Sequence, residues 1–275
     1  MGLRINTNMS SVSAQRALGV QQKKQEHSAQ ALASGSRIVQ AADDAAGLAI
    51  SEGLKANIRG IAQARNNALN AGSTIQVSEG GLNEINNILI RLRELGIQAA
   101  SDTVGDRERG FLNAEVKQLT EESDRIAQTT RFGDKLLLDG SGGAQEYHVG
   151  PTGSEENVIK FSLASDARAA ELGIEGMDLT DKSSARTALK VVDEALDKIG
   201  SMRANFGSIQ SRLNATASNL DIQYENLSAA NSRIRDTDVA KESSEIASAS
   251  ILQQAAVSVL AQANAFPQVA LKLIN

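Results

Sequence analysis

The longest regular pattern in the chain is a seven-residue repeat of apolar side chains within residues 183–235. Every seventh residue from Val192 to Ile234 is apolar, and no proline interrupts the row. Such a repeat keeps one face of a helix against a partner, with slight left-handed supercoiling. The pattern predicts a single helix, capped by the Ser183 hydroxyl, that ends near Arg235. This helix would be roughly 75 Å long, so its apolar seam needs a cover from elsewhere.

A second seven-residue repeat, within residues 50–99, predicts the helix that covers the first. Asp43 or Asp44 can cap its start, and Gly80 and Gly81 weaken it enough that packing must compensate or the helix must bend there. Because one chain carries both repeats, we expect the seam to close within one subunit. The predicted bundle core consists of Leu54, Ile61, Ile75, Leu82, Leu89, Val192, Ile199, Phe206, Leu213, Leu220 and Leu227.

Between these two helices the pattern changes twice. After a break at residues 101–106, a third helix with apolar residues at helical spacing is expected to fold back on the second. Residues 132–181 hold short strand-like runs separated by glycine-rich turns, which predicts one or two hairpins lying against the helices and then a linker at 172–179. The predicted fold class is mainly α: a long antiparallel heptad-repeat helical bundle or coiled coil with a small β-hairpin segment.

The two ends of the chain are poorly matched in polarity. Residues 8–34 predict a weakly amphipathic helix ending at Gly35, which is either a mobile arm or an arm that orders only in an assembly. The last helix, from about Ala240 to a predicted stop at Pro267, is broadly apolar and should not remain in water. The first helix offers too little apolar surface to cover it, which predicts self-assembly through the termini. We expect no signal peptide and no membrane-spanning stretch.

Composition narrows the chemistry further. The net charge of −5 argues against a nucleic-acid partner, and the absence of cysteine excludes thiolate chemistry. His27 and His148 are far apart in sequence and have no obvious acidic or nucleophilic partner, and capping explains the Asp43–Asp44 pair more simply than catalysis or metal binding does. We therefore predict no enzyme activity, no cofactor and no metal site.

Several motifs, in order along the chain, resemble those of bacterial flagellins. They are INTN at 5–8, LASGSRI at 32–38, DDAAGLAI at 43–50, EGGLNEINN at 79–87, RLREL at 91–95, IRDTDVA at 234–240, ILQQA at 251–255 and SVLAQAN at 258–264. The resemblance covers nearly the whole chain. It implies a structural subunit that polymerises into the flagellar filament used for swimming. The alternatives are a hook–filament junction protein with the same terminal architecture, or a secreted helical adhesin or immune ligand.

The resemblance also implies a domain organisation. Residues 1–43 and 236–275 would pair as the inner filament-core domain, 44–131 and 182–235 would form the helical bundle, and 132–181 would be the hairpin segment and linker. The bulky outer domains of many flagellins are missing here. Implied partners are further copies of the chain, the flagellar cap, junction proteins, an export chaperone and, as a candidate, Toll-like receptor 5, with no nucleic acid and no membrane insertion. The implied location is the extracellular flagellum, reached unfolded through the flagellar type III channel.

Two sets of site residues accompany this expectation. The candidate receptor face is Arg91, Leu95 and Glu115, although Leu119 stands where some members carry a basic residue. Filament assembly is assigned to apolar residues of the two terminal segments. The resemblance implies that these segments become ordered on polymerisation. They are Ile5, Leu18, Leu32, Ile251, Leu252, Val259, Leu260, Phe266, Leu271 and Leu273.

Overall fold

The computed structural model describes residues 7–163 and 165–274, with side chains up to residue 265. Its helices are α1 (Met9–Ser34), α2 (Ala45–Ala99), α3 (Asp106–Thr129), α4 (Ala169–Leu172), α5 (Lys182–Arg235) and α6 (Val239–Ile274). Its strands are β1 (Arg131–Phe132), β2 (Lys135–Leu136), β3 (Ala144–His148) and β4 (Val158–Ser162). The mainly α prediction is confirmed. Two compact units are present: Met1–Ala56 with Asn226–Asn275, and Asn57–Glu225.

Within the second unit, α2 and α5 run antiparallel. Three ion pairs join them, and the residue number rises along one helix as it falls along the other. The pairs are Arg65–Asp221 at 2.5 Å, Glu79–Arg203 at 3.7 Å and Arg93–Asp193 at 2.7 Å. The two heptad repeats therefore belong to neighbouring helices of one chain, as the sequence predicted.

Large apolar side chains fill the space between the helices of this unit. Phe206, Ile75, Leu82 and Leu89 have no exposed surface, and the rest of the predicted row along α5 is buried as far as Leu220. The core also takes residues from α3, from the segment after β2 and from β4. Leu54 and Leu227, placed in the bundle core by the sequence argument, are half-buried and belong to the other compact unit.

The reversal between α2 and α3 depends on a buried arginine. The Arg109 guanidinium donates from Nε to the Ala99 carbonyl at 2.8 Å and from Nη2 to the Ser101 carbonyl at 3.0 Å. These carbonyls lie at the C-terminal end of α2, where the last carbonyls of a helix have no N–H partner within it. A cation is also favoured there by the helix dipole. Arg109 therefore ends α2 and fixes the start of α3.

Two antiparallel hairpins follow α3. β1 pairs with β2, and β3 pairs with β4 from Ala144 opposite Ser162 to His148 opposite Val158. The rings of Tyr147 and Phe161 stack with centroids 5.3 Å apart. α2 stays helical through Gly80 and Gly81, and a Cβ at Gly81 would come within 2.7 Å of Leu138. Gly81 therefore permits close packing of the hairpin segment against α2. The sequence had left open whether packing would compensate for the two glycines or the helix would bend, and packing is observed.

Two local predictions need correction. The segment at 172–179, predicted to be a linker, is part of the core, because Leu172, Ile174 and Leu179 are buried. The start of α5 is capped by Asp181 rather than Ser183: the Asp181 carboxylate accepts from the Ser183 amide at 3.1 Å. An aspartate just before the helix competes better for these amides, since its charge also interacts with the helix dipole.

Candidate assembly surface

α1 and α6 form an antiparallel helix pair within the first unit. At one end the Asn8 side-chain amide donates to the Ala263 carbonyl at 2.7 Å. At the other end the Thr237 amide donates to the Gly35 carbonyl at 3.0 Å. Gly35 adopts the left-handed conformation that ends α1, as predicted. A side-chain hydrogen bond at one end and a backbone hydrogen bond at the other therefore connect the two helices at both ends of the pair.

Small side chains face each other inside this pair. The buried residues of α1 are Ala14, Ser28 and Ala31, and the buried residues described in α6 are Ala249 and Ala263. Helix axes approach closely where the side chains at the contact are small. The pair therefore buries little apolar volume, in contrast to the α2–α5 bundle.

Most of the large apolar residues described in α6 lie on its exposed sides, whereas Ile246 and Leu260 are half-buried. Ile251 is 67% exposed, Val257 52% and Val259 54%. At about 100° per residue, Leu252 and Val259 flank the face against α1 on one side, Val257 flanks it on the other, and Ile251 points away from it. One partner helix covers a single face of α6, so apolar surface remains on the others.

The apolar character of α6 was underestimated from the sequence. Val239–Ala265 is long and apolar enough to cross a membrane, with a mean hydropathy of 1.3 in its most apolar 18-residue stretch, of which 11% is buried. The expectation that no segment reached this threshold was wrong, because alanine, valine, isoleucine and leucine outweigh the interspersed serine and glutamine. The predicted stop at Pro267 was also wrong, since α6 continues to Ile274.

The predicted assembly residues fall into three groups. Ile251, Leu252 and Val259 are exposed, whereas Leu18, Leu32 and Leu260 are half-buried. The side chains of Ile5, Phe266, Leu271 and Leu273 lie outside the described residues. Further exposed apolar residues lie off the regular rows and were not predicted, namely Met9, Val12, Val20, Val239 and Val257. A plot of all apolar positions around each helix would have found them.

In the loop between α1 and α2, Asp43 lies close to His27 of α1, a contact that the sequence did not predict. Asp43 accepts hydrogen bonds from the amides of Val39 at 3.0 Å and Gln40 at 2.8 Å, and its carboxylate lies 3.2 Å from His27 Nε2. The Gln40 amide and then the His27 ring lower the pKa of Asp43. His27 therefore has an acidic neighbour, contrary to expectation, while Asp44 caps α2 by accepting from the Gly47 amide at 2.8 Å.

The candidate receptor face is divided between surface and core. Arg91 Nη2 lies 2.9 Å from Glu115, and Arg91 Nη1 lies 3.0 Å from Glu94, all at the surface. Leu95 is only 1% exposed and belongs to the core. A protein docking here would contact Arg91 and Glu115, and Leu95 would act only by supporting them.

In the part of the chain that the structure describes, no group of three or more His, Cys, Asp or Glu side chains is placed to hold a metal ion. What the molecule offers instead is an exposed apolar helix in the helix pair of the first unit and a filled core in the bundle of the second. This arrangement is typical of subunits that bury a helix face on assembly.

Comparison with known proteins identifies the family. Residues 5–142 match the bacterial flagellin N-terminal helical region, and residues 189–274 match the bacterial flagellin C-terminal helical region. The flagellin of Halalkalibacterium halodurans is 41% identical over 272 residues, which cover 98% of this chain and 99% of that protein. The flagellar filament core protein flaB2 of Brachyspira hyodysenteriae is 40% identical over 286 residues, 98% of this chain and 99% of that protein.

The fold agrees with this relationship. The crystal structure of Bacillus cereus flagellin is 30% identical, with a TM-score of 0.50, and covers 60% of this chain and 94% of that one. The chain therefore belongs to the bacterial flagellin family. It is a short member, because only 46 residues separate the two matched regions.

Proposed function

We propose that this protein is the structural subunit of a bacterial flagellar filament and that α1 and α6 carry its polymerisation. The observation that carries the proposal is the exposed apolar surface of α6, which its partner helix leaves uncovered. Burying one such aliphatic side chain contributes about 1.5–3 kcal/mol. Repeated along a helix in every subunit, this is enough to drive assembly. Relatives that align over almost their full length are a flagellin and a filament core protein.

Neighbouring subunits fit this surface better than a membrane does. α1 pairs with α6 along the helices and carries Lys23, Lys24 and Glu26 at exposed positions. If α6 crossed a membrane, this charged partner would have to enter with it or the pair would have to separate. Charged side chains are costly inside a bilayer. Between subunits they can remain in water at the edges of a packed wall.

The finer assignments rest on family resemblance and local geometry. The terminal segments would form the inner domain of the filament, with the bundle and hairpins as its next layer. The cap, the junction proteins and an export chaperone would be its partners, and the chain would leave through the flagellar type III channel. Toll-like receptor 5 would bind at Arg91 and Glu115. The hook–filament junction alternative is less favoured, because the near-full-length relatives named above are filament proteins.

Seeded assembly tests the proposal. The purified chain should extend flagellar filament fragments into long tubes visible by electron microscopy, and deletion of residues 239–275 should stop extension. Asn214→Asp, a substitution at an exposed position of α5, serves as the control for general damage and should leave extension unchanged. A full-length chain that stays monomeric under every seeding and salt condition would contradict the proposal. So would a chain that instead co-sediments with phosphatidylcholine vesicles.

A further inference from the structure

The sequence of α6 creates a gap in its own hydrogen bonding. Pro267 lies inside the helix, and proline has no N–H to donate. In an α-helix the N–H of residue 267 would donate to the carbonyl of Ala263, four residues earlier. Ala263 is 4% exposed, so its carbonyl is poorly placed for water to supply the missing donor. A buried carbonyl without a donor is destabilising.

A residue from the other end of the chain fills this gap. Asn8 Nδ2 donates to the Ala263 carbonyl at 2.7 Å, across 255 positions of sequence. Its side chain thus supplies the bond that Pro267 cannot make. It does so at the start of α1, where the antiparallel partner of α6 begins.

The same side chain also holds α1. Asn8 Oδ1 accepts from the Ser11 amide at 3.1 Å and so caps the N-terminus of α1. Of the residues that cap helices well, asparagine alone combines a carbonyl acceptor with an amide donor on one short side chain. One amide group therefore joins a free amide of α1 to a free carbonyl of α6.

We propose that Asn8 is a positioning residue that fixes the register of the α1–α6 pair at Pro267. By satisfying Ala263, it lets α6 continue as a helix past the proline to Ile274. Proline in turn leaves this carbonyl available for Asn8, because the helix does not compete for it. The effect on polymerisation rests on the proposed filament function, whereas the hydrogen bond itself does not.

Replacing Asn8 by aspartate separates this role from simple capping. Asn8→Asp keeps the acceptor for Ser11 but loses the donor and places a carboxylate beside the Ala263 carbonyl. We expect the critical concentration for polymerisation to rise roughly tenfold, since a buried carbonyl loses its partner. If Asn8 only caps α1, the critical concentration should stay unchanged or fall, because aspartate caps as well and suits the helix dipole. Gln15→Glu, an equal change of charge at an exposed site of α1, is the matched control.

Restoring the missing N–H provides the second test. In a Pro267→Ala background the helix can satisfy Ala263 itself, so Asn8→Asp should raise the critical concentration by a clearly smaller factor than it does beside proline. An equal factor in both backgrounds would overturn the proposal. Hydrogen exchange of the amides of residues 268–274 gives a readout independent of polymerisation, with faster exchange expected in Asn8→Asp. Wild-type chains that form no filaments would contradict the proposed function, while exchange in the free chain would still test the bond.

Discussion

Phe206 and Leu82 in the bundle have no surface exposed to solvent, whereas Ile251 and Val259 in α6 keep more than half of theirs. The bundle places its largest apolar side chains between α2, α3 and α5, and meets water with charged residues that pair across the helices. The α1–α6 pair differs, since its buried residues are alanine and serine and most of the larger apolar residues described in α6 are exposed.

This difference separates two sources of stability. A filled core stabilises a chain by itself, because apolar area leaves water on folding. A pair joined through small residues gains less from folding alone, and its remaining apolar area is buried only when another molecule covers it. The bundle should therefore be stable in the free subunit, and the α1–α6 pair should gain most of its stability in the polymer.

The largest effect is expected from a charge placed in the bundle core. Leu213 is 1% exposed, so Leu213→Asp buries an unpaired carboxylate and should destabilise the free subunit by more than about 4 kcal/mol. Thermal melting followed by circular dichroism measures this loss. The neighbouring Asn214 is exposed, so Asn214→Asp should leave the melting temperature nearly unchanged. An unchanged melt for Leu213→Asp would show that the heptad assignment is wrong.

The same type of change in α6 should give the opposite pattern. Ile251→Asp places a charge on exposed surface, so the free energy of unfolding of the free subunit should stay within about 0.5 kcal/mol of wild type. Polymerisation should be lost, because the site must be desolvated against a neighbour. Light scattering of seeded samples measures it, with Asn214→Asp as the control. Normal filament growth by Ile251→Asp would remove this residue from the assembly surface.

A smaller effect is expected from pH at the loop between α1 and α2. The Gln40 amide and His27 lower the pKa of Asp43, so the folded state holds the carboxylate charged more readily than the unfolded chain does. This contribution is present above the ordinary carboxyl pKa of about 4 and is lost as pH falls through the lower folded value. The protection factors of the Val39 and Gln40 amides in hydrogen exchange, which are corrected for the intrinsic pH dependence of exchange, should therefore fall below that pH. Asp43→Asn should weaken this pH dependence, and an identical pH profile would exclude Asp43 as its source.

Sequence periodicity predicted the bundle well, for a physical reason. Large apolar residues at seven-residue spacing leave few alternatives to a buried helical seam, so α5 and its row from Val192 to Leu220 followed directly. The pairing of His27 with Asp43, the cap of α2 by Arg109 and the bond from Asn8 to Ala263 did not. Each joins polar groups whose distance depends on how the chain reverses, and no local pattern records that distance.

The assembly surface was only partly predictable. The apolar excess of the last helix was visible in the sequence, and it led to the hypothesis of self-assembly. Which of its faces meets α1 was not visible, because alanine is compatible with either side. The continuation through Pro267 was missed because the donor that replaces the proline N–H comes from the opposite end of the chain.

A reconstruction of the assembled filament by electron cryo-microscopy would show whether α6 lies between subunits. The measurement is the solvent exposure of Ile251, Leu252, Val257 and Val259 in a subunit surrounded by its neighbours. If α6 carries assembly, all four side chains should be buried against other subunits, while the exposure of the α2–α5 core stays as it is in the single chain. Filaments in which these four residues remain open to solvent would contradict the account.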